Sequence, residues 1–172
     1  KNYFEAEIIK LHKGASNRIT PVCSHFGVCG GCKWQHMTYE LQLEQKQQEV
    51  VDNLQRIAKV DVEQYLPIKR AEETFYYRNK MEYSFSDSRW LTQDEINSQE
   101  TFDRNALGFH VPGKWDKIVQ IDKCHLQEDI ANNIRNFCKQ EGERQQLNFF
   151  NPRNQSGHLR TLMIRKIGRA HV

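Results

Sequence analysis

Cys23-Ser-His-Phe-Gly-Val-Cys29-Gly-Gly-Cys32-Lys-Trp-Gln-His36 is the segment on which the interpretation of the whole chain depends. It holds three of the five cysteines, spaced Cys-x5-Cys-x2-Cys. Glycine reaches backbone angles that other residues avoid, so a turn built on the paired glycines can aim three thiolates at one point. Backbone N–H groups that approach sulfur also tune iron–sulfur clusters. A fourth soft ligand is expected, and Cys124 is a better candidate than Cys138, which lies at helical spacing among apolar residues.

Several kinds of cysteine site compete for this pattern. The absence of an apolar leader before the cysteines and their odd number argue against a disulfide framework. Zinc stays open, because Cys-x2-Cys with two further cysteines suits a tetrahedral zinc site. Zinc sites usually pair two short knuckles, however, so three clustered ligands and a distant fourth favour a four-iron cluster. A radical S-adenosylmethionine enzyme is a weaker alternative, because that class has Cys-x3-Cys-x2-Cys spacing and leaves one iron open.

Further motifs follow the cysteine segment in a fixed order. They are Tyr39, Gln42-Leu43, Lys46, Tyr77-Arg78-Asn79-Lys80-Met81-Glu82, Leu107-Gly108-Phe109-His110, the Cys124 segment and Gly157-His158-Leu159-Arg160. From about Cys23 to Arg165 the chain resembles the iron–sulfur, 23S ribosomal RNA branch of the RNA (uracil-5-)-methyltransferases. The resemblance implies a [4Fe–4S] cluster held by Cys23, Cys29, Cys32 and Cys124. It also implies that the parent enzyme methylates C5 of a uracil in ribosomal RNA, with S-adenosylmethionine as methyl donor.

Composition sets looser bounds on the function. At 172 residues the chain can hold one compact domain and part of a second. No run of about eighteen apolar residues occurs, so no membrane segment is expected. The net charge of +3 permits nucleic-acid binding without arguing for it. Thiolate ligands without an export signal indicate the cytoplasm. We expect a monomer whose partner is ribosomal RNA.

The predicted fold is α+β, with antiparallel hairpins, two main helices and the cluster loop. By resemblance, residues 1–20 are the end of a small TRAM-type (OB-like) RNA-binding β-barrel plus a linker. Residues 21–60 are the iron–sulfur loop and a long helix from an N-cap at Thr38 to about Ala58. Residues 61–172 are a central RNA-binding α+β domain. No glycine-bearing turn for S-adenosylmethionine is found, so the catalytic domain is expected outside this chain, and no residue here is given a catalytic role.

Hydrophobic periodicity predicts the elements of the last segment. They are strands at 77–85, 105–111, 115–121, 145–150 and 159–166, and a helix at 127–139. The first strand should bury Tyr77, Met81, Tyr83 and Phe85. The hairpin 105–121 should deliver Cys124 to the cysteine loop, and the helix should bury a stripe of Ile130, Ile134 and Phe137.

Two groups of side chains are candidate RNA ligands. Arg78 and Lys80 would face phosphates from the outer side of the first strand, although charges paired with Glu82 explain them equally well. Phe150, Arg153, His158 and Arg160 surround the amide-rich loop 151–157 and suit splayed single-stranded RNA. A hairpin with a polar tip is equally plausible for this second group from the residues alone. The family resemblance favours RNA in both cases.

Overall fold

Residues 3–4, 6, 8–98 and 100–168 are described by the structure, a computed structural model, and they form an α+β fold. The elements are α1 (Tyr39–Asp52), a π-helical segment (Asn53–Ala58), β1 (Lys80–Ser86), α2 (Gln93–Asn97), β2 (Ala106–His110), β3 (Ile118–Gln120), α3 (Asp129–Arg144) and β4 (Thr161–Arg165). The predicted class is confirmed, with the short α2 added. The chain divides into two units, residues 1–21 with 34–70 and residues 22–33 with 71–172.

A four-stranded antiparallel sheet, in the order β3–β2–β1–β4, organises the second unit. Central β1 pairs on both sides, so that Ser84 lies opposite Gly108 of β2 and also opposite Thr161 of β4. β2 and β3 form the predicted hairpin, with Gly108 opposite Gln120. Because β3 ends at Gln120, the sheet fixes the point from which the Cys124 segment leaves it.

Alternation along β1 builds the core. Met81, Tyr83 and Phe85 are buried, as the period of two requires. Phe85 meets Phe149 edge to face, with ring centroids 5.1 Å apart. The predicted burial of Tyr77 is wrong: its side chain is 55% exposed, because pairing with β4 begins only at Lys80.

The third strand is shorter than predicted. Instead of 115–121, β3 covers only three residues, and Trp115 before it is 65% exposed. The Lys114 N–H donates to the Val111 carbonyl (3.0 Å), which closes the turn between β2 and β3. Gly113 has a φ of 74° there, a value that suits glycine. The turn thus leaves the Trp115 ring outside the sheet.

α3 buries a different face from the predicted one. The expected stripe, Ile130, Ile134 and Phe137, is exposed. The buried residues are Ala131, Asn132, Arg135 and Gly142. Their positions also recur at helical spacing. Small side chains permit close packing, and the two polar ones bind backbone near Cys124, so these contacts outweigh the burial of the apolar stripe.

The predicted strand 145–150 does not form. The Leu147 N–H donates to the Gly142 carbonyl (2.9 Å), so this segment continues from the end of α3 as a turn. Phe149 makes one isolated bridge with Leu159 and is buried. The following predicted strand, 159–166, is confirmed as β4.

In the first unit, α1 begins as predicted. The Thr38 Oγ1 accepts a hydrogen bond from the Leu41 N–H (3.3 Å), and the helix continues through the π-helical segment to Ala58. Lys59, with a φ of 54°, ends it. Among the described residues of this unit no side chain is buried, so the apolar face of the helix lies in no core.

The predicted N-terminal barrel end, residues 1–20, remains a prediction. Residues 1, 2, 5 and 7 lie outside the described residues. The described ones form no strand, although Arg18 makes an isolated bridge with Met37. The predicted segment 21–60 is shared between the units, because residues 22–33 belong with the sheet.

Candidate metal centre and nucleic-acid interface

The cysteine loop is a series of tight turns. The Phe26 N–H donates to the Cys23 carbonyl (3.1 Å), and the Cys29 N–H donates to the His25 carbonyl (2.9 Å). Gly27 lies between them with a φ of 91°. These bonds draw Cys23 and Cys29 towards each other along the chain, as their proposed shared role requires.

Gly30 joins the cysteine loop to strand β2. Its N–H donates to the His110 carbonyl (3.2 Å), and a Cβ at Gly30 would lie 2.8 Å from that oxygen. The neighbouring Gly31 N–H donates to the Cys29 Sγ (3.3 Å). The predicted N–H contact with sulfur is found at Gly31. Neither Gly30 nor Gly31 has the positive φ that the prediction invoked, and Gly30 instead permits a close approach to β2.

His25 joins the loop to the turn that precedes Cys124. Its Nε2 accepts a hydrogen bond from the Asp122 N–H (3.3 Å), and the Asp122 carboxylate lies 3.8 Å away. Burial lowers the pKa of His25, with the Asp122 charge opposing the shift. A neutral imidazole can accept this bond, so the ring holds two distant segments together.

Asn132 of α3 holds the backbone of Cys124. Its Oδ1 accepts from the Cys124 N–H (2.8 Å), and its Nδ2 donates to the Cys124 carbonyl (3.1 Å). Arg135, one turn further along α3, donates to the Asp122 carbonyl and to the Asn132 Oδ1 (2.8 Å). The buried polar face of α3 is therefore a cradle for Cys124.

The thiols influence one another electrostatically. Burial raises the pKa of the Cys29 thiol to about 11; the Gly31 N–H opposes this, and Cys32, Cys23 and Cys124 add to it. Burial likewise raises the pKa of Cys124, with Cys32 and Cys23 contributing. In the packing of the second unit, Cys124 belongs to the buried core, and Cys29 and Cys32 pack against it. Without a metal, Cys29 and Cys124 keep their protons at neutral pH.

The donor set is sulfur, which suits zinc or an iron–sulfur cluster. All five cysteines lie in the described part of the chain, and none is joined in a disulfide. Within the described ranges, no three His, Cys, Asp or Glu side chains are placed to hold one metal ion. A four-iron cluster offers a separate iron to each thiolate, so its ligands need not converge on one point. The residues fit such a group in the chemistry of their donor atoms.

A groove of about 400 Å³ lies beside the end of the sheet where loop 151–157 folds back. The Arg160 guanidinium stands 4.7 Å from the centroid of the Phe150 ring. The Arg153 Nη2 donates to the Asp116 Oδ2 (2.8 Å), and this pairing lowers the pKa of Asp116. Exposed Trp115 also lines the groove. Aromatic faces beside guanidinium groups can stack bases and contact phosphates.

The other candidate RNA ligands lie elsewhere. His158 lines a different concavity, whose acidic residues include Asp87, Asp103 and Glu143. Lys80 pairs with Glu82 (2.7 Å), the alternative that the sequence left open. Arg78 is exposed, with its Nη1 3.7 Å from the Met81 sulfur. Of the six candidates, Phe150 and Arg160 line one groove, and Arg153 is paired with Asp116 of the groove lining. RNA contact at any of them stays a prediction.

Comparison with known proteins gives the family. No protein-family model matches the chain. It is 47% identical, over 95% of its length, to an uncharacterized RNA methyltransferase of Bacteroides thetaiotaomicron, of which it covers 36%. It is 46% identical, over 96% of its length, to another from Porphyromonas gingivalis, of which it covers 37%. A Pyrococcus abyssi tRNA (uracil-54, C5)-methyltransferase, solved with S-adenosyl-L-homocysteine, superposes with a TM-score of 0.58 at 27% identity, covering 91% of this chain and 31% of that one.

The chain belongs to the RNA (uracil-5-)-methyltransferase family. Its predicted family is thereby confirmed, while the iron–sulfur, 23S ribosomal RNA branch remains a prediction. The chain spans about a third of the length of the relatives it matches. In the described part of this family member, no helix combines the length and apolarity that a membrane crossing requires.

Sequence reasoning missed several residues of the site in this family member. Asn132 and Arg135 are polar residues within the predicted helix, and polar helix residues usually face water, so they gave no signal of a site. His25 carried no signal beyond its position between two cysteines. Trp115 was placed within a strand, yet it lines the groove. Only its position next to the Pro112–Gly113 turn could have indicated exposure.

Proposed function

We propose that the chain is the RNA-binding and [4Fe–4S]-carrying part of an S-adenosylmethionine-dependent methyltransferase that acts at C5 of uracil in 23S ribosomal RNA. The observation that carries this proposal is the 47% identity to an RNA methyltransferase across nearly the whole chain. The likeness to a uracil-C5 enzyme solved with S-adenosyl-L-homocysteine supports the reaction and the cofactor. The packing of Cys29 and Cys32 against the core that contains Cys124 supports the cluster.

Cys23, Cys29, Cys32 and Cys124 would hold the cluster. When bound, it would supply four metal–thiolate bonds that tie the cysteine loop to the turn after β3, and metal binding is then part of the folding free energy. The contacts already present serve the same end. His25 bonds to Asp122, and Gly30 bonds to β2, so loop and sheet are aligned before the thiolates are engaged.

The groove would hold single-stranded RNA beside this centre. The Phe150 ring with the Arg160 guanidinium above it offers one stacking surface, and exposed Trp115 offers another. Arg153 is held by Asp116 at the rim of the groove, which leaves its outward N–H groups for a phosphate. Base stacking contributes about 1–3 kcal/mol for each base in such sites. These residues bind and orient RNA, and we assign the methyl transfer to the two thirds of the relatives that this chain does not span.

Metal analysis tests the first half of the proposal. Iron, zinc and acid-labile sulfide are measured on anaerobically purified protein, with Cys124→Ser and Cys138→Ser as matched variants. We expect four irons with equal sulfide in wild type and in Cys138→Ser, and a loss in Cys124→Ser. Cys138 is a partly buried cysteine of the same unit to which we assign no ligand role, so it serves as the control. Zinc without sulfide would instead indicate a zinc-stabilised RNA-binding module.

RNA binding tests the second half. Fluorescence anisotropy with uridine-containing 23S ribosomal RNA fragments and with tRNA compares wild type with Trp115→Ala, Arg160→Ala and the control Arg144→Ala. Arg144 is exposed on α3 and paired with Glu141, outside the groove lining. We expect about tenfold weaker binding for each groove variant and no change for the control. Tighter binding to tRNA than to the 23S fragments would indicate a tRNA substrate, as in the Pyrococcus abyssi enzyme. An equal loss of affinity in all variants, the control included, would show that RNA does not bind in the groove.

A further inference from the structure

Arg135 is a buried cation that the proposed RNA-binding role does not use. It is 1% exposed, in the middle of α3. Within the described residues, no carboxylate lies within 4.0 Å of its guanidinium. Burying a charge without an opposite charge costs several kcal/mol. A buried arginine therefore needs either a nearby anion or polar groups that replace the hydrogen bonds it would make with water.

The contacts of Arg135 are all with neutral groups. Its guanidinium donates to the Asp122 carbonyl, to the Asn132 Oδ1 (2.8 Å) and to the Asn136 Oδ1 (3.1 Å). Its carbon centre stands 5.2 Å from the centroid of the Tyr83 ring. The Nε is buried and has no hydrogen-bond partner among the described residues. Carbonyl and ring contacts orient the cation without neutralising it.

The proposed cluster ligand Cys124 lies next to Arg135, and Asn132 contacts both residues. Asn132 bridges the two, since its Oδ1 accepts both from Arg135 and from the Cys124 N–H. The Asp122 carbonyl that Arg135 also binds lies two residues before Cys124, so the guanidinium is held next to the backbone of this proposed ligand. Four thiolates on a four-iron cluster carry net negative charge in the oxidised and the reduced form alike, and that charge would complete the pair.

We propose that Arg135 is the internal counter-charge of the cysteine-bound cluster and that it holds the cluster's reduction potential above the value that the thiolates alone would give. The inference rests on the proposed cluster. Adding one electron makes the cluster more negative by one charge, so a cation nearby stabilises the reduced form more than the oxidised form. A neutral residue at this position removes that difference.

The test separates charge from hydrogen bonding. Arg135→Gln keeps donors without the charge, Arg135→Lys keeps the charge without the planar fork, and Arg144→Gln on the exposed side of α3 is the control. Clusters are reconstituted with iron and sulfide, and the one-electron reduction potential is measured by mediated dithionite titration with EPR detection. We expect a more negative potential for Arg135→Gln, with Arg135→Lys and Arg144→Gln close to wild type.

A second readout covers variants that load poorly. Iron and sulfide retained after reconstitution, and the rate of iron loss to a chelator, are compared in the same four proteins. Faster loss in Arg135→Gln with rescue by Arg135→Lys supports the counter-charge role. Equal behaviour of Arg135→Gln and Arg135→Lys, or unchanged potential and loading in both, would overturn it in favour of a positioning role through hydrogen bonds. If the wild-type protein holds zinc and no sulfide, the proposed cluster is wrong, and this outcome is distinguishable from a failure of the counter-charge role.

Discussion

Gly30 is the residue at which the cysteine loop touches strand β2. A Cβ there would lie 2.8 Å from the His110 carbonyl oxygen, closer than packed atoms approach. Because a backbone oxygen cannot rotate aside, Gly30→Ala should move the loop and break the Gly30–His110 hydrogen bond. We expect a loss of about 1–3 kcal/mol in the free energy of unfolding and lower iron content. Thermal melts and iron analysis measure both.

Gly31→Ala is the matched control for this prediction. The added Cβ would lie 3.5 Å from the Cys29 sulfur, an ordinary contact, and the N–H that reaches this sulfur is kept. Its effect should stay within about 0.5 kcal/mol. Equal losses in the two variants would show that the loop tolerates no side chain for some reason other than contact with β2.

Asp116 is the acidic residue of the groove lining, where Arg160 is the arginine. Arg153 holds its pKa below the usual value of 3.8, so it carries a full negative charge at neutral pH. Asp116→Asn releases Arg153 and removes a charge that repels phosphate. RNA affinity should rise, and the slope of log K against log salt should steepen by about 0.7, the value for one phosphate contact in a single strand.

Asp94→Asn makes the same change in net charge at an exposed position in α2, outside the groove lining. It should leave the salt dependence of RNA binding unchanged. If Asp116→Asn weakens binding as Arg153→Ala does, then Asp116 orients Arg153 for the RNA rather than restraining it.

At this scale the sequence contains a pattern for the proposed ligands but none for the residues that support them. The Cys-x5-Cys-x2-Cys spacing predicts a metal site, and Cys124 is a better candidate for the fourth ligand than Cys138. Asn132 and Arg135 have no such signal, because a polar residue on a helix predicts a solvated face. Their role depends on which backbone comes close in the fold, and periodicity does not contain that information.

Among the elements, the β2–β3 hairpin depends most on one glycine. A Cβ at Gly108 would lie 2.0 Å from the Val119 carbonyl oxygen and 2.8 Å from the Ile121 Cγ1. Gly108→Ala should therefore separate β2 from β3 and cost about 3 kcal/mol or more. Circular dichroism melts of the metal-free chain check this. Gly14→Ala, with its nearest contact at 3.6 Å, should melt like wild type, and a similar loss in it would contradict the steric reason.

α3 shows why an apolar stripe can mislead. Ile134 and Phe137 are 43% and 64% exposed, so Ile134→Ser and Phe137→Ser should each change stability by no more than about 0.5 kcal/mol. Had the predicted stripe been the core face, truncations of this size would cost 2–5 kcal/mol. Urea denaturation distinguishes the two, with Leu107→Ala as the buried reference.

Over the whole molecule, the alternation of apolar and polar residues predicted best the strands that are hydrogen-bonded to a neighbouring strand on both sides. At the centre of the sheet, β2 lies within its predicted range, and β1 begins three residues later than predicted and ends one residue later, at Ser86. The short edge strand β3 and the segment 145–150 were overestimated, because turn hydrogen bonds ended them first. The division into units could not be predicted either, since residues 22–33 join the second unit through contacts that periodicity does not show. These are the hydrogen bonds of Gly30 and His25 and the packing of Val28, Cys29 and Cys32 against the core.

The placement of all four cysteines in the second unit predicts how metal removal acts on the chain. Metal–ligand bonds stabilise only the segments that they join, so chelation should expose the amides of residues 22–33 and 122–124 first. Hydrogen exchange with mass spectrometry, on loaded and metal-free protein, should show faster exchange there. The amides of α1 should exchange at the same rate in both forms, because that helix holds no ligand and its unit, as described, buries no side chain. Equal acceleration in α1 would mean that the two units unfold as one and that the cluster stabilises the entire chain.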